Sequence, residues 1–171
     1  KELYTGEEAV IKNRQSFSPS PCLYLVKKTV IDAHNLAFLE GVLHEDEYFT
    51  TVLFVNTQKM TYSNKDFYHR RYRTASTMTQ HSKEHKLRSF DSYLKVFEAL
   101  DKEYQKETYS DKQKQFIKRQ LLSIYNALLI SDVHPERKKE LKKFETITLK
   151  DKLFILAARL KQQLNRQLNK L

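Results

Sequence analysis

Residues 81–104, HSKEHKLRSFDSYLKVFEALDKEY, decide how this chain is to be read. Leu87, Phe90, Leu94, Phe97, Leu100 and Tyr104 recur at steps of three or four. That is the period of one apolar face on an α-helix. The pattern continues downstream. Ser110-Asp111 is placed to cap a second helix whose stripe includes Phe116, Leu121, Ile124, Tyr125 and Leu128. DVHPER interrupts it, and a short Lys-rich helix follows. Thr148-Leu149-Lys150-Asp151 has the spacing of a capping box with Asp in place of Glu. It introduces a last helix carrying Leu149, Leu153, Leu156, Leu160, Leu164, Leu168 and Leu171, an apolar seam on a basic helix, expected to pack against the other helices in preference to lying on a membrane.

Upstream of residue 82 the periodicity changes. EEAVIKN (7–13) reads as a short helix, and SPSPC (18–22) as a loop, because its two prolines forbid regular structure. CLYLVKK (22–28) reads as a strand, and TVIDAHNLAFL (29–39) as a short helix or extended link. From Asp46, the residues Phe49, Val52, Leu53 and Met60 follow helical spacing through EYFTTVLFVNTQKM. SNKD (63–66) is a turn, and MTYS and FYHRRYR flank it as the two strands of a hairpin. The expected class is therefore α+β, with an α/β part over 1–82 containing a short β-hairpin, followed by a helical bundle over 83–171.

Composition narrows the functions open to such a chain. A hydrophobic fraction of 40% over 171 residues suffices for a core. Only Gly6 and Gly41 are glycines, so no Gly-rich phosphate loop can be written. The lone Cys22 excludes an internal disulfide and a thiolate zinc cluster, and fits a reducing, cytoplasmic setting. TVLFV and LFILAA are too short to cross a bilayer, and KELYTGEEAV has no signal-peptide core. The chain opens without methionine, as a fragment or processed product would. The net charge of +10 is uneven. Residues 1–82 hold 10 Lys/Arg against 9 Asp/Glu, and residues 83–171 hold 21 against 12. A basic second half could serve nucleic acid or an anionic membrane surface, or be only a solvated Lys-rich exterior.

The chemistry-bearing stretch is LHEDEYFTT, residues 43–51. Its three acids admit three readings: a solvated helix start, a metal site, or a catalytic carboxylate. Helix N-terminal amides favour negative charge, while Glu45, Asp46 and Glu47 resist simultaneous ionisation. Such opposed influences can tune a carboxylate for proton transfer. A metal reading of His44 with Glu45 and Asp46 is weak, because contiguous side chains diverge. His81 and His85 have helical spacing but no third ligand, so no metal site is assigned. DFYHRRYRTASTMT (66–79) mixes Tyr68 with the cations Arg71 and Arg73. On a strand those two arginines share a face, an arrangement suited to a pyrophosphate or to nucleic acid.

EGVLHEDEYFTTVLFVNTQKMTYSNKDFYHRRYRTASTMT resembles the acceptor half of bacterial family 2 glycosyltransferases of the GT-A type, which build cell-surface polysaccharides. The resemblance rests on Glu40-Gly41, Glu45-Asp46 and Phe49, then Tyr68, Arg71, Arg73, Ser76 and Met78, and spans roughly residues 4–80. It implies Asp46 as catalytic base, with Glu45 as a supporting carboxylate. His44, Glu47 and Tyr68 would lie on the acceptor side, and Arg71, Arg73 and Ser76 would meet the donor phosphates. Arg70 stands where an aromatic residue is frequent in that family. The partners implied are a nucleotide-sugar donor and a saccharide or lipid-linked acceptor. A peripheral location at the inner face of the membrane goes with them, the basic helices touching anionic lipid. The divalent metal (Mn or Mg) expected in such an enzyme is held by a DxD motif, and no DxD triplet occurs here. This chain would then be the second half of an enzyme, inactive alone. The alternative from a different class is a basic helical nucleic-acid-binding module.

Overall fold

The computed structural model describes residues 3–13, 17–69, 71 and 82–168. Its centre is α3, Glu45–Asn56, in which every residue from Phe49 to Val55 is buried. A helix apolar all round must be enclosed on every side, and the run YFTTVLFV meets that condition. Its two threonines are buried without loss. Thr50 Oγ1 donates to the Pro19 carbonyl at 2.6 Å, and Thr51 Oγ1 to the Glu47 carbonyl at 2.6 Å.

Three other helices enclose α3. α1 (Gly6–Asn13) packs against α3 and α5, while α4 (Lys83–Tyr104) and α5 (Asp111–Ile130) form the most extensive helix pair. Thr5 and Glu8 cap α1 reciprocally: Thr5 N–H donates to Glu8 Oε2 at 2.7 Å, and Glu8 N–H to Thr5 Oγ1 at 3.4 Å. Gly6 cannot be replaced there, because a Cβ would lie 2.0 Å from the Thr57 carbonyl oxygen. α2 (Lys28–Ala33), α6 (Pro135–Lys138) and α7 (Leu149–Leu168) complete the helices among the described residues.

The long helices expected over the second half form, but Leu87 of the α4 stripe is exposed. The leucine seam of α7, expected to pack, is left uncovered from Leu149 to Leu164, because α7 meets the body by its opposite side. Phe90, Leu94, Phe97 and Leu100 of α4 are buried, as are Phe116, Leu121, Ile124, Tyr125 and Leu128 of α5. Ser110 caps α5 in a full capping box with Gln113. Thr148 and Asp151 form the expected reciprocal pair at α7, with Thr148 N–H donating to Asp151 Oδ2 at 2.9 Å.

The strand expectations do not hold. CLYLVKK forms no strand: Pro21–Leu23 is a 3-10 turn, and α2 begins at Lys28. Pro21 opens the turn, and the Tyr24 hydroxyl donates back to the Ser18 carbonyl at 2.7 Å, folding the segment on itself. The hairpin of MTYS with FYHRRYR is replaced by a non-local pair. β2 (Lys59–Thr61) runs antiparallel to β1 (Leu3–Thr5), with Leu3 opposite Thr61. Phe67, Tyr68 and His69 are exposed and carry no strand, while Tyr72 and Arg73 lie outside the described residues. Met60 belongs to β2 and not to the α3 stripe. α3 ends because Asn56 Nδ2 and Thr57 Oγ1 bond the carbonyls of Val52 and Leu53, at 2.8 and 2.7 Å.

One core joins the two sides of residue 82. Val10, Val52, Phe54 and Val55 share a buried cluster with residues of α4, α5 and the start of α7. Phe54 is met by Tyr24 and Phe17 edge-on, each at 5.1 Å, and by Phe116 stacked at 6.0 Å. The basic second half spends many cations within the fold. Lys86–Asp132, Arg137–Asp91, Lys143–Glu98 and Lys118–Asp151 are ion pairs at 2.5 to 2.9 Å.

Candidate functional site

The three acids occupy the first turn of α3, where the unpaired amides of the helix favour negative charge. His44 precedes them in the left-handed region, with φ 64° and ψ 26°. That conformation is uncommon for a residue bearing a Cβ, and neighbouring contacts must fix it. α4 supplies those contacts. The His44 ring stacks on Tyr93 at 3.8 Å, nearly parallel, and its Nε2 shares a 2.7 Å hydrogen bond with Ser89 Oγ. One residue earlier, Leu43 N–H donates to the buried Ser92 Oγ at 2.9 Å. The entrance to α3 is thus pinned by Ser89, Ser92 and Tyr93, one face of α4.

Glu45, Asp46 and Glu47 are all half-buried. Asp46 Oδ1 accepts from the Glu47 backbone N–H at 3.0 Å, so this carboxylate serves an amide of the first turn. Glu47 is the perturbed group. Burial, and then the Asp46 charge, raise it to about 7. Burial holds His44 below the usual imidazole range, although Asp46 and Glu45 pull the other way. The Tyr93 phenol is raised to about 12 by burial and by the charges of Glu47 and Asp46. A carboxyl near neutrality can take or give a proton at physiological pH, which an ordinary Glu does poorly.

Four of the expected site residues, His44, Glu45, Asp46 and Glu47, therefore stand together. Tyr68 and Arg71 are on the exposed segment after β2, and Arg73 and Ser76 lie outside the described residues. Among the described residues no three metal-ligating side chains are grouped to share an ion. The residues here do not fit the DxD-held metal that the resemblance implies, and no step below is routed through one.

A second polar centre escaped the sequence reading. Glu103 of α4 is buried, and three donors surround its carboxylate. Tyr48 and Tyr109 hydroxyls donate to it at 3.3 and 2.9 Å, and Lys106 Nζ bonds it at 2.9 Å. Asn56 Nδ2 donates in turn to the Tyr109 oxygen at 3.0 Å. These groups line a cavity of about 290 Å³, with His34 and Asn35 at its wall. Tyr48 and Tyr109 are each pushed up to about 12, chiefly by burial. Glu103 occupies a place in the α4 pattern where a polar residue reads as exposed, so only its neighbours reveal it. A larger cleft of about 710 Å³ lies between α1, α5 and α7, and it shares no lining residue with the acid cluster.

Comparison with protein-family models, with curated proteins and with solved structures gives no match.

Proposed function

We propose that this chain is the acceptor-side part of a sugar transferase that uses a nucleotide-sugar donor and inverts the anomeric centre. One observation carries the reading. The acid cluster of the LHEDEYF segment sits half-buried at a helix N-terminus, fixed by α4, and Glu47, the neighbour of Asp46, is raised to about 7. A group of partly desolvated carboxylates held in place this way supports proton acceptance from a sugar hydroxyl.

In the proposed step, a carboxylate of the cluster takes the proton of the acceptor O–H. The freed oxygen pair forms the bond to the anomeric carbon, and the bond from that carbon to the donor phosphate oxygen breaks. Its electron pair leaves on the nucleoside diphosphate. The resemblance gives the base role to Asp46, with Glu45 beside it, and the leaving phosphates to Arg71, Arg73 and Ser76. Guanidinium charge aimed at the departing phosphates lowers the barrier, since negative charge grows there as the bond breaks. Glu47 adjoins Asp46 and sets the pH range over which the cluster carries its charge. No Gly-rich loop or DxD triplet exists in these residues. The nucleotide half of the donor is therefore assigned to a region other than these residues.

Cell-surface polysaccharide is the product class the resemblance implies, with a saccharide or lipid-linked acceptor. The nucleic-acid alternative has less behind it, because ion pairs within the fold already engage Lys86, Lys118, Arg137 and Lys143.

The test is transfer from labelled nucleotide-sugars by an enzyme carrying this chain with its donor-binding region. Asp46→Asn should lower turnover at least a hundredfold with donor affinity unchanged, as removal of a general base does, typically by about 10²–10⁴-fold. Retained turnover rejects the assignment of Asp46. Absence of transfer from every nucleotide-sugar offered, in the unsubstituted enzyme, rejects the function.

A further inference from the structure

The heptad-like seam of the last helix behaves unlike those of α4 and α5. α7 is the most separately held of the long helices, touching the body chiefly through α5. Among the described large apolar side chains of α7 only Ile155 is buried, at 5% exposure. Leu149, Leu153, Leu156, Leu160 and Leu164 are 74, 58, 52, 52 and 60% exposed. At about 100° per residue these five leucines fall within an arc of roughly 80°. The anchoring contacts come from the other side of the helix: Asp151 pairs with Lys118 at 2.9 Å, and Ile155 enters the core. The leucine stripe therefore points away from the molecule.

Charge flanks that stripe evenly. Lys152 and Arg159 project about 80–100° to one side of it, and Lys150 and Lys161 about as far to the other. Lys150, Lys152 and Lys161 are exposed, and Arg159 half-exposed. Asp151, the only acid in the helix, is turned inward against Lys118. A continuous exposed apolar stripe of this length marks a surface that something covers.

We infer that this face of α7 docks in the plane of an anionic lipid bilayer. The leucines would enter the acyl boundary, and the two rows of cations would meet the headgroups on either side. Symmetric basic flanks match a planar negative surface, which meets both rows equally. A second copy of the chain fits poorly, because pairing two such stripes sets lysine rows against each other. No helix among the described residues is long and apolar enough to cross a membrane, so the contact is interfacial. The inference stands apart from the transfer chemistry and needs no donor or acceptor.

Co-sedimentation of the full chain with vesicles tests it. Binding is expected to vesicles containing phosphatidylglycerol and to be weak on pure phosphatidylcholine. Each cation near an anionic surface strengthens binding about fivefold, so the triple change Lys150→Gln, Lys152→Gln, Lys161→Gln should weaken binding on the order of a hundredfold. Leu156→Glu with Leu160→Glu should abolish it while circular dichroism shows the helix content retained. Failure to bind anionic vesicles overturns the inference, as does equal binding to both vesicle types. So does a dimer in sedimentation equilibrium that the leucine variant disperses, since the stripe would then be covered by its own copy.

Discussion

At the scale of single residues, the decisive event is the burial of Glu47 beside Asp46, near enough to Tyr93 for its charge to raise that phenol. Its carboxyl is raised from 4.5 to about 7 by burial first and by the Asp46 charge second. A group whose pKa rises on folding adds stability below its unfolded value and loses that contribution as pH climbs through the folded one. The window is therefore between 4.5 and about 7. His44 works from the other edge. Its depressed pKa means that protonation opposes the fold as pH falls below its ordinary value of 6.5. Glu47→Gln should therefore stabilise the protein at about pH 8 by up to about 3 kcal/mol and give no gain at about pH 4. Urea unfolding at the two pH values measures this, and an equal effect at both would remove the buried-carboxyl account. In the sequence, the acids and the histidine were legible as a cluster. Which acid would be perturbed was not, because burial is set by what packs around the helix start, and α4, which holds Leu43 and His44 through Ser92 and Ser89, lies 45 and more residues further along the chain.

At the scale of elements, local signals worked where the chain caps its own helices. Ser110 and Thr148 were placed by spacing alone, since a capping side chain reaches only three residues ahead. Thr148→Ala should cost about 1 kcal/mol and act locally. Hydrogen exchange should quicken in the first turns of α7 while α5 amides keep their protection. Uniform loss in both helices would show that the cap supports more than its own helix. The strands are the opposite case. The local pattern predicts β2 in a hairpin with the following residues, but its partner is Leu3–Thr5, more than fifty positions earlier. A three-residue strand carries too little pattern to name its partner, and pairing is settled by which edge the packed helices bring near. CLYLVKK has the composition of a strand, yet Pro21 and the Tyr24 hydroxyl hold its start in a turn.

At the scale of the whole molecule, α3 is common to everything. It carries the acid cluster at its start, lines the Glu103 cavity through Tyr48 and Asn56, and fills the core with Phe54. Phe54 is 1% exposed and meets three aromatic rings from three other segments. Phe54→Ala should destabilise by about 3–5 kcal/mol, as large-to-small core changes do. Because the core is shared across residue 82, unfolding should remain a single transition. Far-UV circular dichroism and tyrosine absorbance should lose signal together. Two separated transitions would mean that the segments on either side fold independently.

The sequence by itself determined the long helices, their caps and the acid cluster, because each depends on spacing within a few residues of chain. It also carried the resemblance on which the transferase reading rests. Tertiary structure alone decided which apolar seams are covered. α4 and α7 carry similar stripes, yet Phe97 and Leu100 are fully buried while Leu156 and Leu160 are 52% exposed. Periodicity states that a face is apolar; only the position of a neighbouring element determines whether that face meets protein or is left open. The same reason placed Glu103 inside and raised Glu47, since desolvation is a property of what surrounds a carboxyl, and the surroundings come from distant parts of the chain.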